Sequence, residues 1–124
     1  MTRRMSVSMT LDAVRNRTKT VTRRHPATWR TLKPGHRLTL IEKGMGLPKG
    51  ARQVVVAEVE IVDVRVEPLH LVRDRRGDLA AEGITGMSPD EFIRWWADGH
   101  GYRGRSNDDL WDVECRRIEW RYLP

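Results

Sequence analysis

A segment near the N-terminus, NRTKTVTRRHP at residues 16–26, combines one lysine, three threonines and three arginines. Lys19 and Thr22 are three positions apart, so a regular strand would point them to opposite faces, whereas a turn or irregular loop can bring them together. In a partly dry cleft, burial and the neighbouring arginines would lower the pKa of the lysine. A neutral lysine can remove the proton of a hydroxyl, which would make Thr22 a nucleophile. A carboxylate would then have to orient the lysine and pass a proton to the leaving group.

The same segment can also bind a ligand without reacting. Lysine and arginine bind phosphate well, and threonine hydroxyls donate to it. On this hypothesis the contacts come from the segment and the loop after it: Arg17, Thr20, Arg23, Arg24 and Trp29. Trp29 lies in a polar, basic loop without a periodic apolar partner, which predicts an exposed surface for stacking a base. A third interpretation makes the whole segment a solvated surface.

The positive charge of the chain is concentrated at one end. The net charge is +6; residues 1–37 hold ten Lys or Arg and one acid, whereas residues 38–124 hold thirteen bases and sixteen acids. A one-sided distribution of this kind favours a polyanionic partner, which a uniform positive charge would not require. We therefore expect a nucleic acid or a nucleotide as the partner.

Composition limits the class of protein. A chain of 124 residues, 39% hydrophobic and 32% charged, predicts one globular domain over residues 1–124. Its longest apolar run has four residues, and its N-terminus lacks the apolar core of a signal peptide, so we expect a cytoplasmic protein with no membrane partner. The lone Cys115 fits that compartment. The histidines and Cys115 show no metal-ligand spacing, and we expect a monomer with neither a metal nor a cofactor.

The apolar pattern predicts several strands. Short strands are expected at residues 5–9 and 37–42, and long ones at 53–67 and 110–123. The alternation changes phase at Ile61–Val62 and again at Arg116–Arg117, which predicts a β-bulge at each place. The glycine-rich stretch at 44–50, with Met45 partly covered, precedes a strand and so favours a hairpin or long loop over a phosphate loop.

Two helices are expected between these strands. A short one follows Thr10, which could cap it. A better-specified one begins at Ser88, with Pro89 in its first turn, Glu91 completing a capping box and Gly99 near its end. Its spacing predicts that Trp95 and Trp96 both pack in the core. Few helices and two bulged strands predict an α+β fold, a small, mostly antiparallel β-barrel flanked by two or so short helices.

Five segments follow one another in an order that resembles a known family: RNRTKTVTRR, LKPGHRLTL, VEIVDVRVEPL, AAEGITGMSPDEFIRWW and RRIEWRYL. They are similar to the motifs of the ASCH domains, in the PUA-like superfamily, and the likeness runs from about residue 5 to residue 123. The chain departs from the family pattern at His36, where the turn usually carries Asp, and in two extra residues before the helix at Ser88.

The resemblance implies a small barrel with a cleft that receives RNA or a modified nucleoside. Some members hydrolyse the acetyl amide of N4-acetylcytidine with a lysine, a threonine and a glutamate. Matched residue by residue, these fall on Lys19, Thr22 and Glu82, and the arginine after the threonine falls on Arg23 as a phosphate or base contact. Small stand-alone members are often carried by actinobacterial bacteriophages, in which case the compartment is the host cytoplasm.

Three hypotheses about function follow. The first is an ASCH-type domain that binds RNA or a modified nucleoside, with DNA as a further possible partner and Trp29 as a lid over the cleft. The second is an amidohydrolase in which Thr22 attacks an N4-acyl cytosine, Lys19 removes its proton and Glu82 protonates the departing amine. The third is a phage-encoded module that binds a host protein.

Overall fold

Five strands form one mixed sheet in the computed structural model, which describes residues 3–43 and 48–124. The strands are β1 (Arg3–Ser6), β2 (Val21–Arg24), β3 (Arg37–Ile41), β4 (Val55–Pro68) and β5 (Glu114–Tyr122). They lie in the order β1-β3-β4-β5-β2, with β1 parallel to β3 and every other pair antiparallel. The sheet curls into a half-barrel whose two edges are β1 and β2. The predicted small α+β, mostly antiparallel barrel-like fold is confirmed.

Three short α-helices accompany the sheet: α1 (Leu11–Arg15), α2 (Asp78–Ala81) and α3 (Pro89–Gly99). Helix α3 begins as the sequence predicts, because the Ser88 side chain accepts from the Glu91 N–H and the Glu91 side chain accepts from the Ser88 N–H. Thr10 precedes α1 but makes no side-chain cap. None of the described helices is both long and apolar enough to span a membrane.

The bend of the sheet begins at the bulge in β4. Pairing between β4 and β5 shifts register between Ile61 and Asp63, so the bulge predicted at Ile61–Val62 is confirmed. The shift carries the inward-facing side from Val59 and Ile61 to Val64. A single apolar cluster therefore fills the concave side of the sheet.

The second predicted bulge, at Arg116–Arg117, is wrong. β5 pairs with β4 through this region without a register shift. The phase changes because both faces of β5 are covered: Ile118 and Trp120 pack in the concave cluster, whereas Cys115 packs in a second cluster with α3. Arg117 lies on the Cys115 side and is buried in ion pairs, so a polar residue occupies an inward position.

Two elements that carry the site differ from the sequence-based expectation. Residues 21–24, in which apolar and polar residues do not alternate, form the edge strand β2. Residues 78–81 form α2, immediately before Glu82. The first strand lies at Arg3–Ser6, earlier than the expected 5–9, because Ser8–Thr10 turn into a 3₁₀-helix. The expected glycine-rich hairpin and Met45 involve residues 44–47, which lie outside the described residues.

Candidate functional site

A cavity of about 190 Å³ lies where the two edges of the half-barrel approach each other. Ser6, at the end of β1, and Thr22, in β2, both line it. The Arg24 guanidinium crosses the gap between the edges and donates from Nη2 to the Ser6 carbonyl oxygen at 2.8 Å. The third wall comes from α3. The opening in the barrel is thus the place where ligand-sized space is available.

Lys19 is a deeply buried cation of the cavity, with only 3% of its surface exposed. Its Nζ donates to the carbonyl oxygens of Val21 at 2.8 Å and Glu82 at 2.5 Å, and lies 3.6 Å from Glu82 Oε1. Burial lowers the pKa of Lys19 to about 8, although the neighbouring Glu82 acts to raise it. At pH 7 about a tenth of the molecules would therefore hold a neutral amine at this position.

Glu82 joins the lysine to the strand. Its Oε1 accepts from the Arg23 backbone N–H at 3.2 Å and lies 3.6 Å from Lys19 Nζ, while its Oε2 accepts from Arg23 Nη1 at 3.5 Å. α2 ends at this residue, and its short helix sets the carboxylate beside β2. The sequence-based alignment of the family glutamate with Glu82 thus selects a carboxylate that does lie at the cavity.

Arg23 is held in a buried ion network. Its side chain is fully buried and contacts the carboxylates of Asp78, Glu82 and Glu67. Arg117 adds a second cation, donating to Asp78 at 3.0 and 3.2 Å. Although burial acts to raise it, the hydrogen bonds from Arg117 and Arg23 hold the pKa of Asp78 below its usual range.

The network is balanced in charge. Among the described residues the buried charged side chains number three cations and three anions: Lys19, Arg23, Arg117, Glu67, Asp78 and Glu82. Glu67 also accepts hydrogen bonds from Arg75 Nη1 and Arg65 Nε, each at 2.8 Å, from the surface side. The Arg23 Nη1 and Nη2 atoms are consequently committed to protein carboxylates, and its Nε is buried without a hydrogen-bond partner among the described residues. The expectation that Arg23 binds a ligand phosphate therefore gains no support from an exposed donor.

Thr22 and Arg24 form the polar part of the cavity nearest the seam. Thr22 Oγ1 accepts from Arg24 Nε at 3.2 Å. No hydrogen bond joins Lys19 Nζ to Thr22 Oγ1 within the described residues, although both side chains line the cavity. Apo sites commonly hold catalytic partners beyond hydrogen-bond distance until the ligand binds. The placement therefore suits both binding and nucleophilic chemistry.

The outer edge of β2 is covered by side chains where another strand could pair. Residues 20, 22 and 24 face β5, which leaves the backbone groups of Val21 and Arg23 pointing away from the sheet. Lys19 Nζ donates to the Val21 carbonyl oxygen, Glu82 Oε1 accepts from the Arg23 N–H, and Trp96 Nε1 donates to the Arg23 carbonyl oxygen at 2.9 Å. The site residues therefore also supply hydrogen-bond partners to backbone groups that an edge strand would otherwise leave unpaired.

An aromatic wall faces these polar groups. Phe92, Trp95, Trp96 and His100 of the α3 region all line the cavity. Trp96 is buried, with the His100 ring stacked on it at 3.9 Å between centroids. Trp95 is 37% exposed, so the prediction that it packs in the core is wrong. Adjacent helical residues point about 100° apart, and here only Trp96 turns fully inward.

Three of the expected ligand contacts do not line the cavity. Arg17 is exposed beside the Tyr122 ring, and Thr20 uses its backbone to pair with Ala81 and Trp120. Trp29 packs partly against the concave core with the Arg3 guanidinium 4.4 Å from its ring centroid. Trp95 and Trp96, and not Trp29, are therefore the tryptophans that line the cavity, and Trp95 is the more exposed of the two.

Several residues of the site escape sequence-based reasoning. Asp78 and Glu67 hold Arg23, yet they lie 55 and 44 positions further along the chain, and no local spacing connects either of them with it. Their burial depends on tertiary pairing, which no local pattern reports. The aromatic spacing of α3 was the available signal for Trp95. In the two described ranges, no group of three or more His, Cys, Asp or Glu side chains is placed to hold a metal ion.

Comparison with known proteins gives one structural likeness and no family. No protein-family model matches the chain, and no curated protein matches it. The crystal structure of hypothetical protein PH0355 is similar, with a TM-score of 0.60 and 13% identity over 99% of this chain and 100% of that one. At this identity the likeness shows the fold alone.

Proposed function

We propose that the chain is an ASCH-type domain that binds a nucleoside, either free and modified or as one unit of RNA, in the cavity at the barrel seam. The observation that carries the proposal is the composition of the cavity walls. Lys19, Thr22 and Glu82 supply hydrogen-bonding groups on one side, and Trp95 and Phe92 supply aromatic surface on the other. Single bases are recognised in this way, by hydrogen bonds to an edge and stacking on a face.

The size of the cavity supports a single ring as the inserted group. Pockets for drug-sized ligands have volumes of about 300–1,000 Å³, whereas an apolar cavity of about 150 Å³ holds benzene. A cavity of about 190 Å³ therefore suits one pyrimidine ring with a small substituent, with the sugar outside. The basic N-terminal third supports a polyanion around it, RNA in the first place and DNA as a further candidate.

The binding proposal is tested by titrating the protein with cytidine, N4-acetylcytidine, uridine or adenosine and measuring the heat of binding by calorimetry. We expect pyrimidine nucleosides to bind. Thr22→Val should lower their affinity, because the substitution removes a hydroxyl from the cavity wall. The matched control is Thr20→Val, two residues away and outside the cavity. Equal weakening by both variants, or no binding of any nucleoside or of RNA, contradicts the proposal; the latter result favours a host protein as the partner.

A second candidate function is hydrolysis of the acetyl amide of N4-acetylcytidine. It is favoured by the burial of Lys19, whose pKa of about 8 makes it a usable base near neutral pH. Thr22 Oγ would attack the acyl carbon while Lys19 accepts its proton. The C–N bond then breaks, the proton that Lys19 accepted passes by way of the Glu82 carboxylate to the departing amine, and water releases acetate from the acyl-threonine.

The enzyme hypothesis is tested by following release of cytidine from N4-acetylcytidine by chromatography. We expect loss of turnover in Lys19→Met, Thr22→Val and Glu82→Gln, and a rate that rises with pH with a midpoint near 8. Thr20→Val again serves as the control. Binding of N4-acetylcytidine without any turnover would assign the cavity to recognition alone.

A further inference from the structure

Arg24 is the cavity cation that no carboxylate of the described residues contacts, although Glu82 acts on its charge from a greater distance. Its guanidinium donates to Thr22 Oγ1 and to the Ser6 carbonyl oxygen, and both acceptors are neutral. Within the described residues it takes part in no ion pair at 4.0 Å or less, whereas Arg23 beside it contacts three carboxylates. A partly buried charge without a counter-ion is costly unless a ligand supplies the opposite charge.

The third nitrogen of Arg24 remains available. Nη1 makes no hydrogen bond within the described residues and keeps some exposed surface, on a side chain that lines the cavity. The charged side chains that line the cavity are three cations, Lys19, Arg23 and Arg24, and one anion, Glu82. Asp78 and Glu67, which balance Arg23, lie behind it and do not reach the cavity wall.

We infer that the ligand carries a phosphate, which Arg24 binds at the mouth of the cavity while the base occupies its interior. The inference rests on the proposed function and narrows its ligand class: a nucleoside monophosphate, or a phosphate-linked unit of RNA, is preferred to the free nucleoside. The cavity is too small for the base and the phosphate together, so the two groups lie at different depths. Arginine binds phosphate through charge-assisted hydrogen bonds, which exceed neutral ones in strength.

The test compares dissociation constants of cytidine, cytidine 5′-monophosphate, cytidine 3′-monophosphate and inorganic phosphate, measured by calorimetry at low salt. We expect one of the monophosphates to bind about 10- to 100-fold more tightly than cytidine. Arg24→Gln should remove most of this difference, whereas Arg24→Lys should keep part of it. The matched control is Arg30→Gln, at an exposed arginine outside the cavity, which should leave the ratio unchanged.

The ratio of the dissociation constants of two ligands in one sample does not depend on the folded fraction. A destabilised Arg24→Gln variant therefore still gives an interpretable ratio. If that variant does not fold, the wild-type ratio and Arg24→Lys decide. Equal affinity for cytidine and both monophosphates, a ratio that survives Arg24→Gln, or inorganic phosphate binding as tightly as the nucleotides each overturns the inference and leaves the proposed function standing. Failure of cytidine, both nucleotides and RNA to bind at all overturns the proposed function itself.

Discussion

Glu82 Oε1 accepts a hydrogen bond from the backbone N–H of Arg23 at 3.2 Å, on the side of β2 that faces away from β5. A carboxylate thus occupies the place of a neighbouring strand. Glu82 also lies 3.6 Å from Lys19 Nζ, so one side chain serves both the strand edge and the candidate chemistry. Loss of function in a variant of this site must therefore be separated from loss of folding.

Glu82→Ala should be strongly destabilising. It leaves Lys19 and Arg23 buried with less negative charge and removes the acceptor of the Arg23 N–H. Breaking a buried pair from one side costs about 3–5 kcal/mol. The control is Glu60→Ala, which removes the partner of the more exposed Arg121 and should cost about 1 kcal/mol or less. Urea denaturation measures both; similar losses would contradict the burial of the Lys19–Glu82 pair.

The burial of Lys19 should appear in the pH dependence of stability. Its pKa is about 8 in the folded chain against 10.5 for the ordinary side chain, so between these values the unfolded chain holds a proton that the folded chain has lost. The free energy of unfolding should therefore rise with pH across this window, by up to roughly 3 kcal/mol from this group.

Lys19→Met removes that contribution. The difference in unfolding free energy between wild type and Lys19→Met, measured by urea denaturation from pH 7 to 10.5, should grow in favour of wild type as pH rises. Lys33→Met, at an exposed lysine, reports the effect of removing an ordinary surface charge. A wild-type minus Lys19→Met difference that is flat, or that falls with pH, would show that Lys19 stays charged in the folded chain.

Trp95 and Trp29 should separate binding from stability. Trp95→Ala should weaken nucleoside binding by about tenfold or more, because stacking of a base on an aromatic ring contributes about 1–3 kcal/mol. Its effect on the melting temperature should be small, since Trp95 is more than a third exposed.

Trp29→Ala should show the reverse pattern. Trp29 packs against the concave core and the Arg3 guanidinium but does not line the cavity. Its removal should lower the melting temperature and leave the nucleoside affinity of the folded protein unchanged. Reduced affinity in Trp29→Ala and not in Trp95→Ala would restore the expectation that Trp29 forms the lid.

Gly83 fixes the distance between α1 and the Glu82 segment. A Cβ at this position would lie 2.7 Å from Ala13 Cβ and 3.3 Å from Thr10 Cβ, so Gly83→Ala must displace α1 or the segment that carries Glu82. Gly86 has nearly the same backbone angle, φ +81° against +82°, but open space around it. Gly86→Ala is therefore a control for backbone strain alone.

Both alanine variants should lose about 1–2 kcal/mol from the left-handed backbone. Gly83→Ala should lose about 1–3 kcal/mol more from overpacking and should also bind nucleosides more weakly. Thermal denaturation and a nucleoside titration measure the two effects. Equal stability of the two variants would mean that α1 moves aside without cost.

Local signals predicted the elements that local chemistry determines. The Ser88–Glu91 capping box and the phase change at Ile61–Val62 both depend on residues within a few positions of one another, and both are confirmed. The half-barrel followed from the bulged strands, although the second bulge was wrong. The pattern placed Arg117 in that bulge, whereas it lies buried on the Cys115 face of β5 in ion pairs with Asp78 and Glu119.

The site was only partly predictable for the same reason. The types of residue in the KTVT segment indicated Lys19 and Thr22, and the family likeness indicated Glu82; the structure brings all three to one cavity. The placement of Trp95 rather than Trp29 at the cavity, and the engagement of Arg23 rather than Arg24 by carboxylates, depend on partners far along the chain. Asp78 decides which arginine is free, and no spacing rule connects it to β2.

Lys19 is anchored from the far end of the polypeptide. Its carbonyl oxygen accepts from Trp120 Nε1, 101 positions later, and from the Tyr122 hydroxyl, 103 positions later. Contacts of such long sequence separation form late and slowly during folding. On the ribosome, Lys19 must therefore wait until β5 has emerged. A translation product that stops before β5 would carry every cavity-lining side chain and still have no cavity.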